Sequence, residues 1–412
     1  MKTKIQLFAA FLLLAVGALW LTSCSSEDAV QSGGSQADAS LTLTINTGKV
    51  GSRATAWDGT TTPTSTDENT INRLTVGIFD ASTKKVKTIV ELTSATTGGN
   101  SLSVSGKIAT AKIVTTSLAT GDDVLVAANA PAGNFAGVAD ETGFNAKTEG
   151  IESAVLSSSG DTKEINNNIP MYGAKTLSAG STDGTFTASV DVKHLLAKIS
   201  LTDLEVAFDA NGPYKDAKFT PTEFFLVNVP EKLAFSNDAW VNGAGHFHGF
   251  DGDTDNSLYK DLTNFTTICG KWETAKYKGY LATGSLNATE LAGTSAKYAS
   301  AAYFYVTPSD DTADGKMKLI IAGKFDADGT GAAEETVFYP VAINAKYDAA
   351  GNATAADGGT VFQVSPNKNY KCTVVIKTKG TTDPTKNLDP QTATVTVTVT
   401  DFVEASQTTT FE

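Results

Sequence analysis

The stretch Thr394-Val395-Thr396-Val397-Thr398-Val399-Thr400 alternates polar and apolar residues without interruption. A period of two puts the valines on one face of a β-strand and the threonines on the other. At a sheet edge, a strand this long, β-branched and uncharged is an association hazard unless pairing is its purpose. A polar segment containing proline, residues 381–390, connects it to the preceding chain. The strand is therefore either the edge of its own domain or a strand given to another molecule.

A second alternating stretch, Leu41-Thr42-Leu43-Thr44-Ile45, lies near the N-terminus. Its three apolar residues have the same spacing as the three C-terminal valines, so the two strands could fill the same groove in turn. The six residues are Leu41, Leu43, Ile45, Val395, Val397 and Val399.

Short β-type runs separated by Gly, Asn and Asp turns fill the rest of the chain and predict all-β sandwiches. Two short helices are expected within residues 145–155 and 294–302, and a break near residue 185 divides the body into unequal halves. The predicted strands cover residues 74–78, 107–115, 124–128, 199–201, 224–229, 303–306, 319–321, 337–343 and 370–376.

The N-terminus has the order of a lipoprotein signal. Lys2 and Lys4 precede an almost wholly apolar run, residues 5–21, which ends in Leu21-Thr22-Ser23-Cys24. Small residues before a thiol, with Leu three positions upstream, form a lipobox in which Cys24 receives the lipid and the chain is cut before it. A transmembrane anchor is the alternative, but the run is short for a span of about 20 residues. The mature chain is therefore expected to be tethered outside the cell.

Composition excludes several classes of function. The formal net charge of −13 argues against nucleic acid or an anionic membrane surface as partner. The sequence contains no nucleophile elbow, P-loop, dinucleotide fingerprint or zincin motif, so neither an enzyme nor a cofactor is expected. Cys372 alternates with apolar residues and is predicted to be a buried, inert thiol, with a bridge to Cys269 as the alternative.

Possible metal ligands form incomplete patterns. His246 and His248 would share one face of a strand, but their Gly-rich surroundings predict a solvated loop without a third ligand. The segments 251–255 and 326–331 resemble the start of a calcium loop. The second includes the turn glycine, yet Val337 stands where a bidentate Glu belongs. We expect no metal site, although weak calcium binding by either loop stays open.

Arginine is rare, since only Arg53 and Arg73 occur among 32 basic residues. Arg53 and Ala54 lie between the first strand and a Thr-rich stretch, where a protease can bind the backbone in an extended conformation. The alternative is that Arg53 is only a linker residue. Arg73 stands at the start of the next predicted strand, where folding should shield it.

Several short motifs follow one another along the chain: residues 21–24, the strand before Arg53, and residues 124–131, 169–173, 194–201, 369–370 and 395–402. In this order they resemble the Bacteroidales fimbrillins of the FimA/Mfa type, the subunits of type V pili. The resemblance implies two transthyretin-like β-sandwich domains and export as a lipoprotein. It further implies removal of the first strand by an Arg-directed extracellular protease and polymerisation through a C-terminal donor strand.

Carried onto this sequence, the resemblance makes Arg53-Ala54 the cut and Val395 to Phe402 the donor strand, with Phe402 where relatives often carry Trp. The expected partners are other copies or related pilus subunits, an outer-membrane lipid anchor before processing, and surface ligands on host or bacterial cells. Expected segments are a signal peptide (1–23), a propeptide (24–53), two sandwiches (54–185 and 186–390) and a donor segment (391–412).

The alternative function is a non-polymerising surface lipoprotein that binds glycan or host protein. Four aromatic residues could form its binding platform, although core packing explains them about as well. They are Trp240, Trp272, Tyr277 and Tyr280.

Overall fold

The structure is a computed structural model that describes a body within residues 39–401. The described ranges are residues 39–47, 68–156, 167–242, 245–249, 278–298, 302–312, 315–332, 334–348, 350–382, 384 and 393–401. Strands dominate these ranges, which confirms the all-β class. Among the described residues, no helix has the length and apolar character needed to cross a membrane.

The described residues between 39 and 194 form short strands and short helices. The elements are β1 (Ala39–Asn46), β2 (Arg73–Phe79), β3 (Val86–Thr93), β4 (Ser101–Ser105), β5 (Ile108–Thr115), β6 (Asp123–Ala128), α1 (Glu141–Asn145), β7 (Thr148–Gly150), α2 (Ile151–Val155), β8 (Met171–Thr176), β9 (Ser178–Ala179), β10 (Thr185–Asp191) and β11 (Lys193–His194).

The described residues between 197 and 401 continue with strands and a 3-10 turn. The elements are β12 (Ala197–Val206), β13 (Lys218–Val227), β14 (Val229–Pro230), β15 (Lys232–Ala234), β16 (His246–Phe247), a 3-10 turn (Gly279–Leu281), β17 (Leu291–Ala292), β18 (Ala296–Tyr298), β19 (Ala302–Val306), β20 (Lys318–Asp326), β21 (Glu334–Ala342), β22 (Lys346–Tyr347), β23 (Ala353–Thr354), β24 (Lys368–Ile376) and β25 (Ala393–Asp401).

The first sandwich consists of two five-stranded sheets. Their strand orders are β4-β5-β1-β10-β9 and β11-β8-β6-β2-β3. Alternate residues of both sheets meet in one buried apolar cluster, to which Leu43, Val76 and Val126 belong. This is the packing that period-two patterns produce when each sheet turns one face inward.

Two more sheets form the second sandwich. One has the order β18-β12-β24-β25, with β19 also paired to β12, and the other has the order β17-β13-β20-β21. Ile199, Ile321 and Tyr370 belong to the apolar cluster between them. That cluster also includes Phe135 and Phe235, whose rings lie 5.3 Å apart, so the core continues into the loop after β6.

Two expectations from the sequence need correction. The break near residue 185 falls inside the first pair of sheets, because β10 returns to pair with β1 along residues 185–191. Within the stretch 294–302, where a helix was expected, Ala296–Tyr298 is strand β18, which pairs with β12. In both cases a distant strand determines the structure, and a local pattern does not show such a partner.

Candidate assembly site

The first strand lies in the middle of its sheet. β1 pairs antiparallel with β5 and parallel with β10, so Leu43 stands opposite Ala111 on one side and Ala188 on the other. Leu41, Leu43 and Ile45 are all 0% exposed. β1 therefore separates two strands that do not touch each other in this sheet, and it contributes the apolar residues between them.

Polar contacts hold the end of β1. The side-chain amide of Asn46 donates to Asp191 Oδ1 at 3.0 Å and to Ser189 Oγ at 3.2 Å. Thr47 donates through its backbone N–H and its hydroxyl to the carbonyl oxygen of Lys107, both at 3.1 Å. The next described residue is Glu68, so the predicted cut at Arg53 and Ala54 lies outside the described residues, as does Cys24.

Glu68 is held by a buried polar cluster from the second sandwich. Its carboxylate accepts hydrogen bonds from Lys198 Nζ at 2.7 Å and from the Tyr305 hydroxyl at 2.6 Å. The ammonium group of Lys198 also lies 4.6 Å from the ring centre of Tyr303. A buried charge needs such partners, and these fix the chain that follows residues 48–67.

His194 contributes to the same cluster. Its Nε2–H donates to the backbone carbonyl of Glu68 at 2.8 Å. Burial lowers the pKa of His194, because the charged ring would lose its hydration. The sequence analysis missed Glu68 and Lys198 as partners. A lysine within the apolar run 194–201 was the available signal that a buried anion had to be near.

Arg73 begins β2, as predicted. Its Nη1 lies 3.2 Å from Glu91 Oε2 on the neighbouring β3, and its carbonyl oxygen accepts a hydrogen bond from Asn129 N at 2.9 Å. Because β2 pairs with β3 and β6 along its length, the backbone at Arg73 is part of a sheet.

The C-terminal strand is the edge of its own sheet in this chain. β25 pairs antiparallel with β24, which places Val395 opposite Val374 and Val399 opposite Tyr370. Val397 is 0% exposed, whereas Thr396 and Thr398 face solvent. This is the first of the two alternatives for this strand, and β25 has to leave β24 before it can pair elsewhere. Phe402 lies outside the described residues.

Residues 39–203 match the family model described as major fimbrial subunit protein (FimA). This segment is similar to a family of fimbrial subunits. The resemblance to the fimbrillins is thereby confirmed. The matched segment includes β1, β5 and β10, the three strands of the candidate assembly site. The family is one of structural fimbrial subunits, which agrees with the absence of catalytic motifs from the sequence. No curated protein matches the chain.

Solved structures from three Bacteroidales species share the fimbrillin fold. A fimbrilin of Porphyromonas gingivalis is 18% identical with a TM-score of 0.55, and the match covers 90% of this chain and 99% of that one. A candidate cell adhesion protein of Bacteroides eggerthii is 20% identical with a TM-score of 0.56, over 89% and 98%. Another, from Parabacteroides distasonis, is 13% identical with a TM-score of 0.59, over 90% and 99%.

Cys372 has the properties predicted for it. It is a free, fully buried thiol, and burial raises its pKa to about 12, so it stays protonated at neutral pH. It stands directly opposite Val397 in the pair β24–β25. Cys269, the alternative bridge partner, lies outside the described residues.

The two histidines near residue 247 are not solvated, so that prediction was wrong. His246 pairs with Pro230 between β16 and β14, and His248 is fully buried. Its Nδ1 accepts a hydrogen bond from the backbone N–H of Asn228 at 3.2 Å. Among the described residues, no three His, Cys, Asp or Glu side chains are arranged to hold a metal ion.

Of the four aromatic residues proposed as a binding platform, the structure describes two, and neither of these is fully exposed. Tyr280 is only 2% exposed and belongs to the apolar core, and Trp240 is half-buried. Trp272 and Tyr277 lie outside the described residues. For Tyr280, core packing is therefore the correct explanation.

Proposed function

We propose that the chain is a pilus subunit exported as a lipoprotein on Cys24, cut after Arg53 and polymerised by exchange of its C-terminal strand. The match of residues 39–203 to the model of a fimbrial subunit family supports this role. The lipid on Cys24 would hold the precursor at the outer membrane, and processing would release the subunit into a surface fimbrium that supports adhesion. Its partners would be copies of itself or related subunits.

The central position of β1 is the observation that carries the proposal. A cut at Arg53 leaves residues 39–46 attached to the body only by non-covalent contacts. When β1 departs, β5 and β10 each gain an unpaired edge, and the apolar residues that faced Leu41, Leu43 and Ile45 meet water. The gap that β1 leaves between β5 and β10, called the acceptor slot below, can bind an extended strand by β-augmentation.

β25 has the length and pattern to refill that slot. It has nine residues where β1 has eight, and its valines repeat the inward spacing of β1. At its own edge β25 pairs with one strand, whereas in the slot it would pair with two. Three buried valines at about 1.5 kcal/mol or more each, together with ladder bonds at roughly 0.5–1.5 kcal/mol net each, give a gross gain on the order of 10 kcal/mol.

The sheets support one change to the expected domain boundaries. We propose a signal peptide (1–23), a propeptide (24–53), a first sandwich extending to β11, a second sandwich from β12, and a donor segment within residues 391–412. The boundary moves from residue 185 to the turn between His194 and Ala197, because β10 and β11 pair with strands of the first sandwich.

A disulfide that reversibly links β25 to β24 tests the exchange. Directly opposed residues of an antiparallel pair lie about 4.5–5.5 Å apart at Cα, within disulfide range. Val397→Cys should therefore form a disulfide with Cys372, in a background where Cys24 and Cys269 are serine. After cleavage at Arg53, the oxidised protein should stay monomeric, and the reduced protein should form ladders and filaments on gels and in negative-stain images.

The matched control is Val397→Cys with Cys372→Ser, which has the same altered donor strand but no partner thiol. It should assemble equally well under oxidising and reducing conditions. If the disulfide between β24 and β25 forms quantitatively and the cleaved protein still makes filaments, β25 is not the donor and another surface drives assembly.

A further inference from the structure

The tip of the hairpin formed by β4 and β5 has apolar side chains that face solvent. Ile108 is 49% exposed and Val104 is 41% exposed, and they are the exposed large apolar residues of the described part of the chain. The two-residue turn Gly106-Lys107 joins the strands, and Gly106 has a φ of +60°. A Cβ added to Gly106 would have no neighbour within 4 Å. The tip therefore has room for a further apolar group.

This tip lies at one end of the acceptor slot. Asn46, the last residue of β1, stands opposite Ile108, and the backbone N–H of Thr47 donates to the carbonyl oxygen of Lys107 at 3.1 Å. Directly opposed residues share one face of a sheet, so Asn46 and Ile108 both lie on the outer face. The next position on that face after Asn46 is Gly48, which has no side chain. The sequence of the first strand therefore offers no side chain at this position to cover Ile108.

The C-terminal strand differs from β1 at this position. Consider a donor that enters the slot in the direction of β1, with its three valines at the three apolar positions of β1. Val399 then replaces Ile45, and Phe402 replaces Gly48. Phe402 comes to lie on the outer face, diagonally across from Ile108. Diagonal neighbours of an antiparallel pair lie about 7–8 Å apart, within reach of an aromatic side chain. The donor would thus bring to the tip an apolar group that β1 lacks.

Charge favours the same direction of the donor. In the direction of β1, Asp401 replaces Thr47, which is buried but lies beside Lys107, so opposite charges face each other across the pair. In the reverse direction, with the same three apolar positions filled, Asp401 replaces Ala39. That residue is 6% exposed and stands opposite Thr115, which offers no positive charge. A carboxylate buried without such a partner is unfavourable, so the direction of β1 has the lower free energy.

We propose that Phe402 of one subunit packs against Ile108 at the β4–β5 hairpin tip of the next subunit when β25 fills the acceptor slot in the direction of β1. This inference rests on the proposed strand exchange. An exchange of two strands with similar ladders needs a difference in affinity, because the backbone hydrogen bonds lost with β1 are regained with the donor. The Phe402 contact supplies such a difference. It also fixes the register, since a slip of the donor along the slot moves the ring away from Ile108.

Filaments of the cleaved full chain test the contact. The quantity measured is the concentration of monomer in equilibrium with filaments at a fixed urea concentration. Phe402→Ala and Ile108→Ser should each raise it, by about tenfold for a partly buried aromatic contact. The double variant should be no worse than either single variant, because both substitutions remove the same contact. The matched control is Val104→Ser, which changes a similarly exposed residue on the opposite face of the hairpin and should behave as wild type.

Cysteine pairs test the direction of the donor separately. In the direction of β1, Thr398 replaces Thr44 and stands opposite Thr110. In the reverse direction it replaces Thr42 and stands opposite Lys112. Directly opposed residues lie within disulfide range. In a background where the three native cysteines are serine, Thr398→Cys should therefore form a disulfide between subunits with Thr110→Cys and not with Lys112→Cys.

The outcomes separate this contact from the exchange itself. If filaments of Phe402→Ala or Ile108→Ser are as stable as those of wild type, or if the losses add in the double variant, Phe402 does not pack against Ile108, and strand exchange still stands. A disulfide with Lys112→Cys would likewise overturn the contact alone. If the cleaved wild-type chain forms no filaments, the proposed exchange is wrong and the contact falls with it.

Discussion

Two buried glutamates of this chain are accommodated in opposite ways. Glu68 is paired with Lys198 and bonded to Tyr305, so its charge is compensated inside the protein. Glu149 lies on β7, 5% exposed, and has only the hydroxyl of Ser153 at 3.0 Å as a partner. Its Oε2 is buried and unsatisfied within the described part of the chain. Burial raises the pKa of Glu149 to about 8, so the folded protein holds this group protonated at neutral pH.

Glu149 should make stability depend on pH. The folded pKa of about 8 lies above the model-peptide value of 4.5, so the folded state binds more protons between these values. The contribution of Glu149 is therefore complete below about pH 4.5 and is lost as pH rises through 8. The limiting slope is about 1.4 kcal/mol per pH unit. Glu149→Gln should flatten this decline, measured as the free energy of unfolding in urea from pH 5 to 9.

The control for this experiment is Glu152→Gln, which changes a partly exposed carboxylate bonded to Lys278 at 2.7 Å. It retains Glu149 and should retain the wild-type slope between pH 5 and 8. Parallel curves for wild type and Glu149→Gln would show that Glu149 is ionised in the folded protein at neutral pH.

Individual residues also show which features a local sequence pattern can predict and which it cannot. The alternation around Cys372 was enough to predict a buried thiol, because the period of a strand fixes which side chains face inward. The partner of Lys198 could not be predicted, since Glu68 lies 130 positions away in the chain. His246 and His248 were assigned to a loop from their glycine neighbours, yet pairing with β14 buries them. Contacts between distant segments carry no local signal.

At the scale of elements, the alternating patterns predicted both β1 and β25 as strands. A local pattern could not predict their neighbouring strands, because β10 pairs with β1 in parallel from 145 positions later in the chain. The parallel neighbour matters for the proposed exchange. β5 runs antiparallel to the strand in the slot and β10 runs parallel to it. The facing edges of β5 and β10 are therefore both paired only while a strand occupies the slot.

The two arginines should differ in their response to protease. An Arg-specific protease should cut the folded precursor once, after Arg53, and give a new N-terminus at Ala54. Cutting after Arg73 requires the start of β2 to detach from β3 and β6, which is a rare opening in a paired strand. The measurement is intact-mass spectrometry with N-terminal sequencing of the products.

Arg53→Ala should remove the cut, and the protein should then stay monomeric with β1 in place. A variant at Arg73 is the matched control and should be cut as wild type. Efficient cleavage after Arg73 in native protein would mean that β2 opens readily at its first residue, contrary to its position in the sheet.

At the scale of the whole molecule, the proposed acceptor slot and the proposed donor strand belong to different sandwiches. β1 lies in the first, and β25 is the edge of the second. Packing of Phe135 against Phe235 and pairing of β7 with β15 join the two parts through one core. A subunit would therefore offer its slot at one place and its donor at another. Such a contact joins unlike surfaces, so it propagates a filament instead of closing a dimer.

This polarity can be tested with two variants, one that lacks the donor strand and one whose acceptor slot stays filled by β1. Deletion of residues 394–412 removes the donor, at the cost of the Val397 contact and one edge ladder, but leaves both sandwiches and the Arg53 site. Arg53→Ala keeps the donor but retains β1 in the slot. After protease treatment, each variant alone should elute as a monomer from gel filtration, and a mixture should form one-to-one heterodimers and nothing longer. Filaments from the truncated subunit alone would mean that β25 serves only its own sheet and that another surface drives assembly. If the mixture stays monomeric while wild type assembles, a filled first slot prevents donation, and removal of β1 must come before release of β25.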